Sequence, residues 1–387
     1  MRLLLLDYAG HIPQADLAKQ LARAGNVVRH MRCSDYITGN ADFIVPSELD
    51  GQLDFCAISL GATYNRYNLI RRMTHEIRLA NKFSREIQYF EPDFVITSNV
   101  PLFCSYFLTK KLIKKNIPYI FWWQDAYSVA VNSKLSEIAH GVPLKFVKNR
   151  INRLEKFIAE NAHSVVAISE NFLPLYSNWG LNGEKISIVH NWSPPEDFRT
   201  EIDGQKISYS FLLYAGTLGM KHNPQLLVDL ARKLEKRRGD IKIVVISQGL
   251  GRKYLERLDP KPTNLILMNF LPLSELKNYL RCAEVVLAIL EPGASEYSVP
   301  SKITTYLASG KVTVAAMPKS NTAAQYLEKS KSGIVVDPTN SEAFASSVIQ
   351  LLNNPSLRKQ MGLNARQFAE DNFSGEKAAQ AFLKLMS

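Results

Sequence analysis

Short apolar runs alternate with amphipathic stretches from the first residues onward. Leu3–Leu6 leads into Ala15–Ala24, Asp93–Thr97 into Pro101–Lys115, Tyr119–Trp123 into a longer helical region, and Ser164–Ile168 into Glu170–Trp179. Runs of four or five apolar residues, each followed by 3.6-residue periodicity, are the pattern of strands buried on both faces and joined by helices. That is the βαβ rhythm of a parallel sheet. The second half repeats it with runs at Phe211–Ala215, Ile241–Ile246, Leu265–Met268, Val285–Ile289, Val312–Ala316 and Gly333–Val336. The pattern therefore predicts an α/β chain with two Rossmann-like sheets.

Between the two halves, Val189-His-Asn-Trp-Ser-Pro-Pro195 and the polar run to Ser208 pair prolines with a loss of periodicity, the mark of a linker. The expected organisation is one domain over 1–196, a second over 197–370, and a C-terminal helix over 371–387 that crosses back to the first. Gly362 and Ser374-Gly375 are the expected breaks in the helical tail. A length of 387 residues suits two domains of ordinary size.

Composition narrows the class. At 46% hydrophobic and 21% charged residues, the chain reads as globular rather than disordered. Met1-Arg-Leu-Leu-Leu-Leu-Asp7 is too short an apolar run for a signal peptide, and Phe94–Leu108 is too interrupted to span a bilayer. Cys33, Cys56, Cys104 and Cys282 show neither Cys-x-x-Cys pairing nor metal spacing, so free thiols in a reducing cytoplasm are expected.

The formal charge of +11 invites an anionic partner. Between Tyr106 and Lys156, ten Lys and Arg face three acids, a local balance of +7. Phe103, Tyr106, Phe107, Trp122 and Trp123 accompany them. Such a surface suits anionic lipid, and with no nucleic-acid motif present, nucleic acid ranks below it. A solvated pair of helix faces explains the same charges without any partner.

The most informative segment is Glu296-Tyr-Ser-Val-Pro-Ser-Lys302, followed by a helix, a stop at Gly310 and an apolar strand. A helix start presents unpaired N–H groups that favour anions, and Ser301 and Lys302 add a hydroxyl and an ammonium. Gly216 and Gly219 remove side chains from a loop after a strand, and Lys221 supplies a second cation. Gly249 and Gly251, after Ile241–Ile246, fit either a backbone approach to a nucleotide or a plain turn. In the first half, Gly10-His11 and Gln124-Asp125-Ala-Tyr127 follow strands at the edge where open α/β sheets bind ligands. Asp125 is a candidate to orient or deprotonate an acceptor hydroxyl, and His11 to hydrogen-bond a substrate. An N-cap aspartate and a structural histidine account for the same residues.

Tyr214-Ala-Gly-Thr-Leu-Gly-Met-Lys-His-Asn223, Val299-Pro-Ser-Lys302, Tyr306-Leu-Ala-Ser-Gly-Lys311 and Met361-Gly-Leu-Asn-Ala-Arg366 occur in an ordered series. Glu91-Pro-Asp-Phe-Val95, Ile168-Ser-Glu170 and Ile188-Val-His-Asn-Trp192 precede them. Together they resemble the retaining GT-B glycosyltransferases, the large family that includes bacterial exopolysaccharide and O-antigen enzymes. The resemblance covers nearly the whole chain. It implies two Rossmann-like domains facing across a cleft, the first holding an acceptor and the second a nucleotide-sugar.

It further implies a hexosyl or N-acetylhexosaminyl transfer to a glycan or polyprenyl-diphosphate-linked acceptor in cell-surface polysaccharide synthesis, at the inner face of the membrane. On that resemblance the donor contacts are Gly216, Gly219, Gly249, Phe270, Leu271, Glu296, Ser298, Val299, Pro300, Ser301 and Thr305, with Lys221 and Lys302 at the departing diphosphate. No Asp-x-Asp triplet occurs, so no metal and no cofactor are expected. There is a departure from the family pattern. Many members carry two glutamates with seven residues between them, and here Tyr297 and Thr305 fall at those positions, with Glu296 adjacent to the first. Subgroups with Ser-Val-Pro-Ser-Lys also lack part of the pair. An epimerase or hydrolase on the same fold, or a non-catalytic nucleotide-sugar-binding partner, are the competing readings.

Overall fold

A computed structural model describes residues 1–35, 41–61, 69–129, 144–198, 207–219, 222–292 and 301–387. The chain divides into two compact units, Met1–His190 with Gly375–Ser387, and Asn191–Ser374.

The first unit holds seven parallel strands: β1 (Arg2–Asp7), β2 (Val27–Cys33), β3 (Leu53–Ile58), β4 (Phe94–Ser98), β5 (Tyr119–Trp123), β6 (Ser164–Ala167) and β7 (Ile186–Ile188). Their order is β3-β2-β1-β4-β5-β6-β7. Leu3 to Leu6 and all of β4, β5 and β6 are buried, as strands covered by helices on both faces must be. The second unit holds β8 (Phe211–Ala215), β9 (Lys242–Ile246), β10 (Leu265–Met268), β11 (Val285–Ile289), β12 (Thr313–Ala316) and β13 (Gly333–Val336), in the order β10-β9-β8-β11-β12-β13. Both sheets reverse strand order once, between β1 and β4 and between β8 and β11. The crevice beyond the carboxyl ends of such a strand pair is where open α/β sheets receive ligands.

Three strands were not legible as apolar runs. β2 and β3 lie toward one edge of their sheet and carry Arg29, His30, Arg32 and Asp54, and β7 is a three-residue edge strand. Half-exposed strands tolerate charge, so their hydrophobic signal is diluted. The expected helix Glu170–Trp179 is a 3-10 turn, Glu170–Phe172, running into a short α-helix, Leu173–Asn178. Gly362 is no break: the helix Pro355–Asn372 runs through it. A Cβ at Gly362 would stand 2.6 Å from the Gly310 carbonyl oxygen, so the missing side chain serves close packing. The tail does stop before Gly375, and the helix Gly375–Lys384 packs on the helix Ile12–Arg23 of the first unit. Phe382 meets Trp122 edge-on at 5.0 Å.

Candidate active site

In the second unit, the carboxyl ends of β8 and β11 place two chain segments side by side. From β8 the chain enters Gly216-Thr-Leu-Gly219, and beyond β11 it reaches the helix Ser301–Ala308. Tyr306 binds the two together: its hydroxyl accepts from the Ala215 N–H at 2.9 Å and has the Ala215 and Leu287 carbonyls within reach of its proton. Lys302 then points across the first turn of that helix. Its Nζ donates to the Tyr214 hydroxyl at 2.5 Å and sits 3.9 Å from the centroid of the same ring. The Tyr214 hydroxyl donates onward to the Thr217 carbonyl.

Gly216 has φ +120°, and a Cβ there would stand 3.3 Å from Lys302 Cε. Only glycine lets the loop and the lysine lie together. Lys302 makes no ion pair among the described residues; its partner is a buried, neutral tyrosine whose own pKa burial pushes well up. Burial pushes the Lys302 ammonium down to about 7. An incoming diphosphate would restore its charge.

Gly249 and Gly251 have a different occupation. A Cβ on Gly249 would meet the Leu218 carbonyl oxygen at 2.8 Å, and one on Gly251 would meet Leu218 Cγ at 2.6 Å. Both glycines make room for the Gly216–Gly219 loop, which Leu218 N–H to Gln248 O and Gly251 N–H to Leu218 O tie down. The structure thus brings Gly216, Gly219, Gly249 and Lys302 together around Leu218. Phe270 and Leu271, each partly exposed, follow the edge strand β10. Thr305 is buried, 2.9 Å from the Ser193 hydroxyl and 3.4 Å from the Ser301 carbonyl. Its hydroxyl joins a cluster with Thr304 and Ser193. Lys221, Glu296, Tyr297, Ser298, Val299 and Pro300 lie outside the described residues.

In the first unit, His11 follows β1 and Asp125 follows β5, with β4 between those strands. Three buried carboxylates fix the loops at this edge. Asp7 accepts from the N–H groups of Ala9, Gly10 and His11, with His30 Nε2 at 3.7 Å. Burial opposes its ionisation, but His30 and the backbone donors prevail and hold the carboxyl below its ordinary value. Glu76 accepts from Phe103 N–H, at the start of the helix Leu102–Lys114 that follows β4, and from Arg72 Nε. Glu155 accepts from the Trp123 indole and from Tyr127 and Ser128 N–H, which anchors the loop that carries Asp125. Burial pushes the Glu155 carboxyl up, against these donors.

Residues 198–368 match the family Glycosyl transferases group 1, and residues 15–196 match Glycosyltransferase Family 4. The two matches lie end to end along most of the chain, and both families are glycosyltransferases. A putative colanic acid biosynthesis glycosyl transferase, WcaI of Escherichia coli, is 24% identical over 237 residues, spanning 58% of this chain and 56% of that relative. An uncharacterized glycosyltransferase of Methanocaldococcus jannaschii is 26% identical over 273 residues, spanning 65% of this chain and 67% of its own. The chain thus spans little more than half the length of the first of these. Sucrose-phosphate synthase from Thermosynechococcus elongatus superposes with a TM-score of 0.74 at 16% identity, covering 100% of this chain and 98% of that one. WaaG, a glycosyltransferase involved in lipopolysaccharide biosynthesis, gives 0.68 at 15% identity over 98% and 99% of the two chains. Anabaena HepE, solved with UDP-glucose, gives 0.68 at 13% over 99% of each. The chain therefore has the GT-B fold, with two Rossmann-like domains.

Sequence reasoning singled out Lys302 through Pro-Ser-Lys but gave no role to Tyr214, which accepts from it, or to Tyr306, which ties its helix to β8. Tyr214 and Tyr306 sit in a buried strand and a buried helix, where an aromatic reads as core. Asp7 and Glu155 were equally silent, although Asp7 ends the apolar run Leu3–Leu6, and a carboxylate there is a usable signal.

Proposed function

We propose that this protein transfers a sugar from a nucleotide-sugar to a glycan or polyprenyl-diphosphate-linked acceptor in cell-surface polysaccharide synthesis, retaining the anomeric configuration. The observation that carries this is the desolvated Lys302 amine against the Gly216 loop, at the point where the second sheet reverses its strand order. As the sugar–oxygen bond breaks, negative charge grows on the departing nucleoside diphosphate. A cation held in a partly dehydrated setting stabilises that charge more than it stabilises the ground state. Lys302 supplies the cation, Ser301 and the adjoining segment supply donors, and the diphosphate needs no metal in this scheme. The first unit holds the acceptor, with Asp125 and His11 at its strand ends. Donor complexes of UDP and UDP-glucose with Anabaena HepE, and the lipopolysaccharide role of WaaG, support the substrate classes.

The test is nucleotide release from a panel of nucleotide-sugars with and without lipid-linked acceptor. Acceptor-dependent release supports transfer. Release independent of acceptor means a hydrolase, conversion of the nucleotide-sugar to its epimer without release means an epimerase, and binding without turnover means a non-catalytic partner.

We also propose that the first unit docks on anionic membrane. No helix among the described residues is long and apolar enough to cross a bilayer. The helices Leu102–Lys114 and Leu144–Asn161 pack together. Trp122 and Trp123, which lie in a strand near the basic run in sequence, are both core residues with almost no exposure. The exposed apolar groups are instead Ile113, Phe146 and Val147, among the exposed Lys110, Lys114, Lys115, Arg150 and Arg153. Each cation near such a surface contributes about 1 kcal/mol. The protein is expected to float with anionic liposomes at low salt and to be released at high salt. A Lys110, Lys114, Lys115→Glu variant is expected to remain in the soluble fraction. Equal flotation of both proteins would show that these helices are merely solvated.

A further inference from the structure

We propose that Cys33, Asp35 and His75 form a site for a divalent cation of the zinc class, outside the transfer chemistry argued above and independent of it. Cys33 ends β2, Asp35 follows it, and His75 projects from the helix Leu69–Phe90. The thiol sulfur, a carboxylate oxygen and an imidazole nitrogen all lie within 4.8 Å of one another, and His75 Nε2 is 3.9 Å from Asp35 Oδ2. Tetrahedral zinc, with bonds of about 2.0 Å to N or O and about 2.3 Å to S, needs ligand atoms roughly 3.3–3.5 Å apart. The three groups reach that spacing by closing about 1.5 Å at most.

The ligand chemistry selects the ion. Magnesium and calcium take oxygen ligands, whereas thiolate and imidazole favour zinc or cobalt. Charge agrees as well. A thiolate, a carboxylate and a neutral imidazole around a doubly charged cation sum to zero, so the complex avoids the burial penalty of a bare charge. Zinc takes the neutral imidazole ring, which the buried His75 side chain can offer from beside Asp35. Arg78 near His75 and Arg32 near Cys33 oppose a cation; Arg32 also faces the Asp7 carboxylate, and the two ligand anions offset the rest.

The carboxylate is also held in place. Asp35 Oδ1 accepts from the Ser59 hydroxyl at 2.6 Å and Oδ2 from the Leu60 N–H at 2.5 Å, both just beyond β3. Outer partners of this kind orient metal ligands. Three protein ligands leave one position for water or another small ligand, and the ion would join the carboxyl edge of β2 to the helix behind it.

The experiment uses the full chain, treated with chelator and then titrated with zinc, and separately with cobalt as a spectroscopic substitute. Expected are one equivalent bound, a rise in Tm with zinc, and a near-ultraviolet thiolate-to-cobalt band. Cys33→Ser is expected to abolish the band, and His75→Gln to weaken zinc binding at least about tenfold. Ser59→Ala, which leaves all three ligands in place, is expected to weaken it about tenfold or more. Cys282→Ser, at an exposed thiol, is expected to change nothing. A wild-type chain without a cobalt–thiolate band, or a band that survives Cys33→Ser, overturns the proposal. Should Cys33→Ser fail to fold by circular dichroism, unchanged zinc affinity in both His75→Gln and Ser59→Ala overturns it as well.

Discussion

Lys302→Ala is expected to lower kcat/KM about 30- to 1000-fold while the protein stays folded. One charged donor lost at a departing diphosphate removes roughly 2–4 kcal/mol of transition-state stabilisation. Lys302 also makes a directional prediction with pH. With its pKa near 7 in the free protein, the amine is already charged below that value, and nucleotide-sugar affinity is flat there. Above it, binding must first recharge the amine, so affinity falls by up to about tenfold per pH unit until the pKa of the complex is reached. The diphosphate diester of a nucleotide-sugar holds its charge across this range, which isolates the lysine. Calorimetry in buffers of different ionisation enthalpy should record proton uptake near pH 7. Lys302→Met removes both the uptake and the slope.

The same lowered pKa sets a sign for stability. A lysine whose pKa falls on folding destabilises the fold most below its folded value, and that burden fades as pH rises toward 10.5. Lys302→Met should therefore raise Tm at pH 6 and much less at pH 10. Wild-type turnover in Lys302→Ala, or a pH-independent Tm difference, would sink the assignment.

Glu155→Leu is expected to destabilise the protein by about 3–5 kcal/mol. Three N–H donors would lose their acceptor, and an unsatisfied buried donor costs about 1–3 kcal/mol. Glu155→Gln, which keeps one accepting oxygen, should lose less. Urea denaturation of both variants reads the difference directly. A loss below about 1 kcal/mol in Glu155→Leu would mean that water replaces the carboxylate and that the Asp125 loop is not anchored by it.

The sheets were legible because their central strands are apolar on both faces. Leu3–Leu6, Tyr119–Trp123 and Val285–Ile289 announce themselves in any window. Arg29, Arg32 and Asp54 hid β2 and β3, whose outer positions meet solvent. Lys302 was legible as part of a short motif, but its environment was not, since its partner Tyr214 lies 88 positions away. The hydroxyl cluster around Thr305 was hidden for the same reason: Ser193 stands in a proline-rich stretch that reads only as linker. Cys33 and His75 share no local spacing, so only the fold brings them together.

The helix Gly375–Lys384 belongs to the first unit, although the whole second unit is encoded between them. On the ribosome, the second unit emerges complete while the first still lacks the helix that covers Trp122 and Ile12–Arg23. The first unit stays partly uncovered until residues 375–387 have been made. During translation the Trp122 face is therefore the part of the first unit that waits longest for its cover.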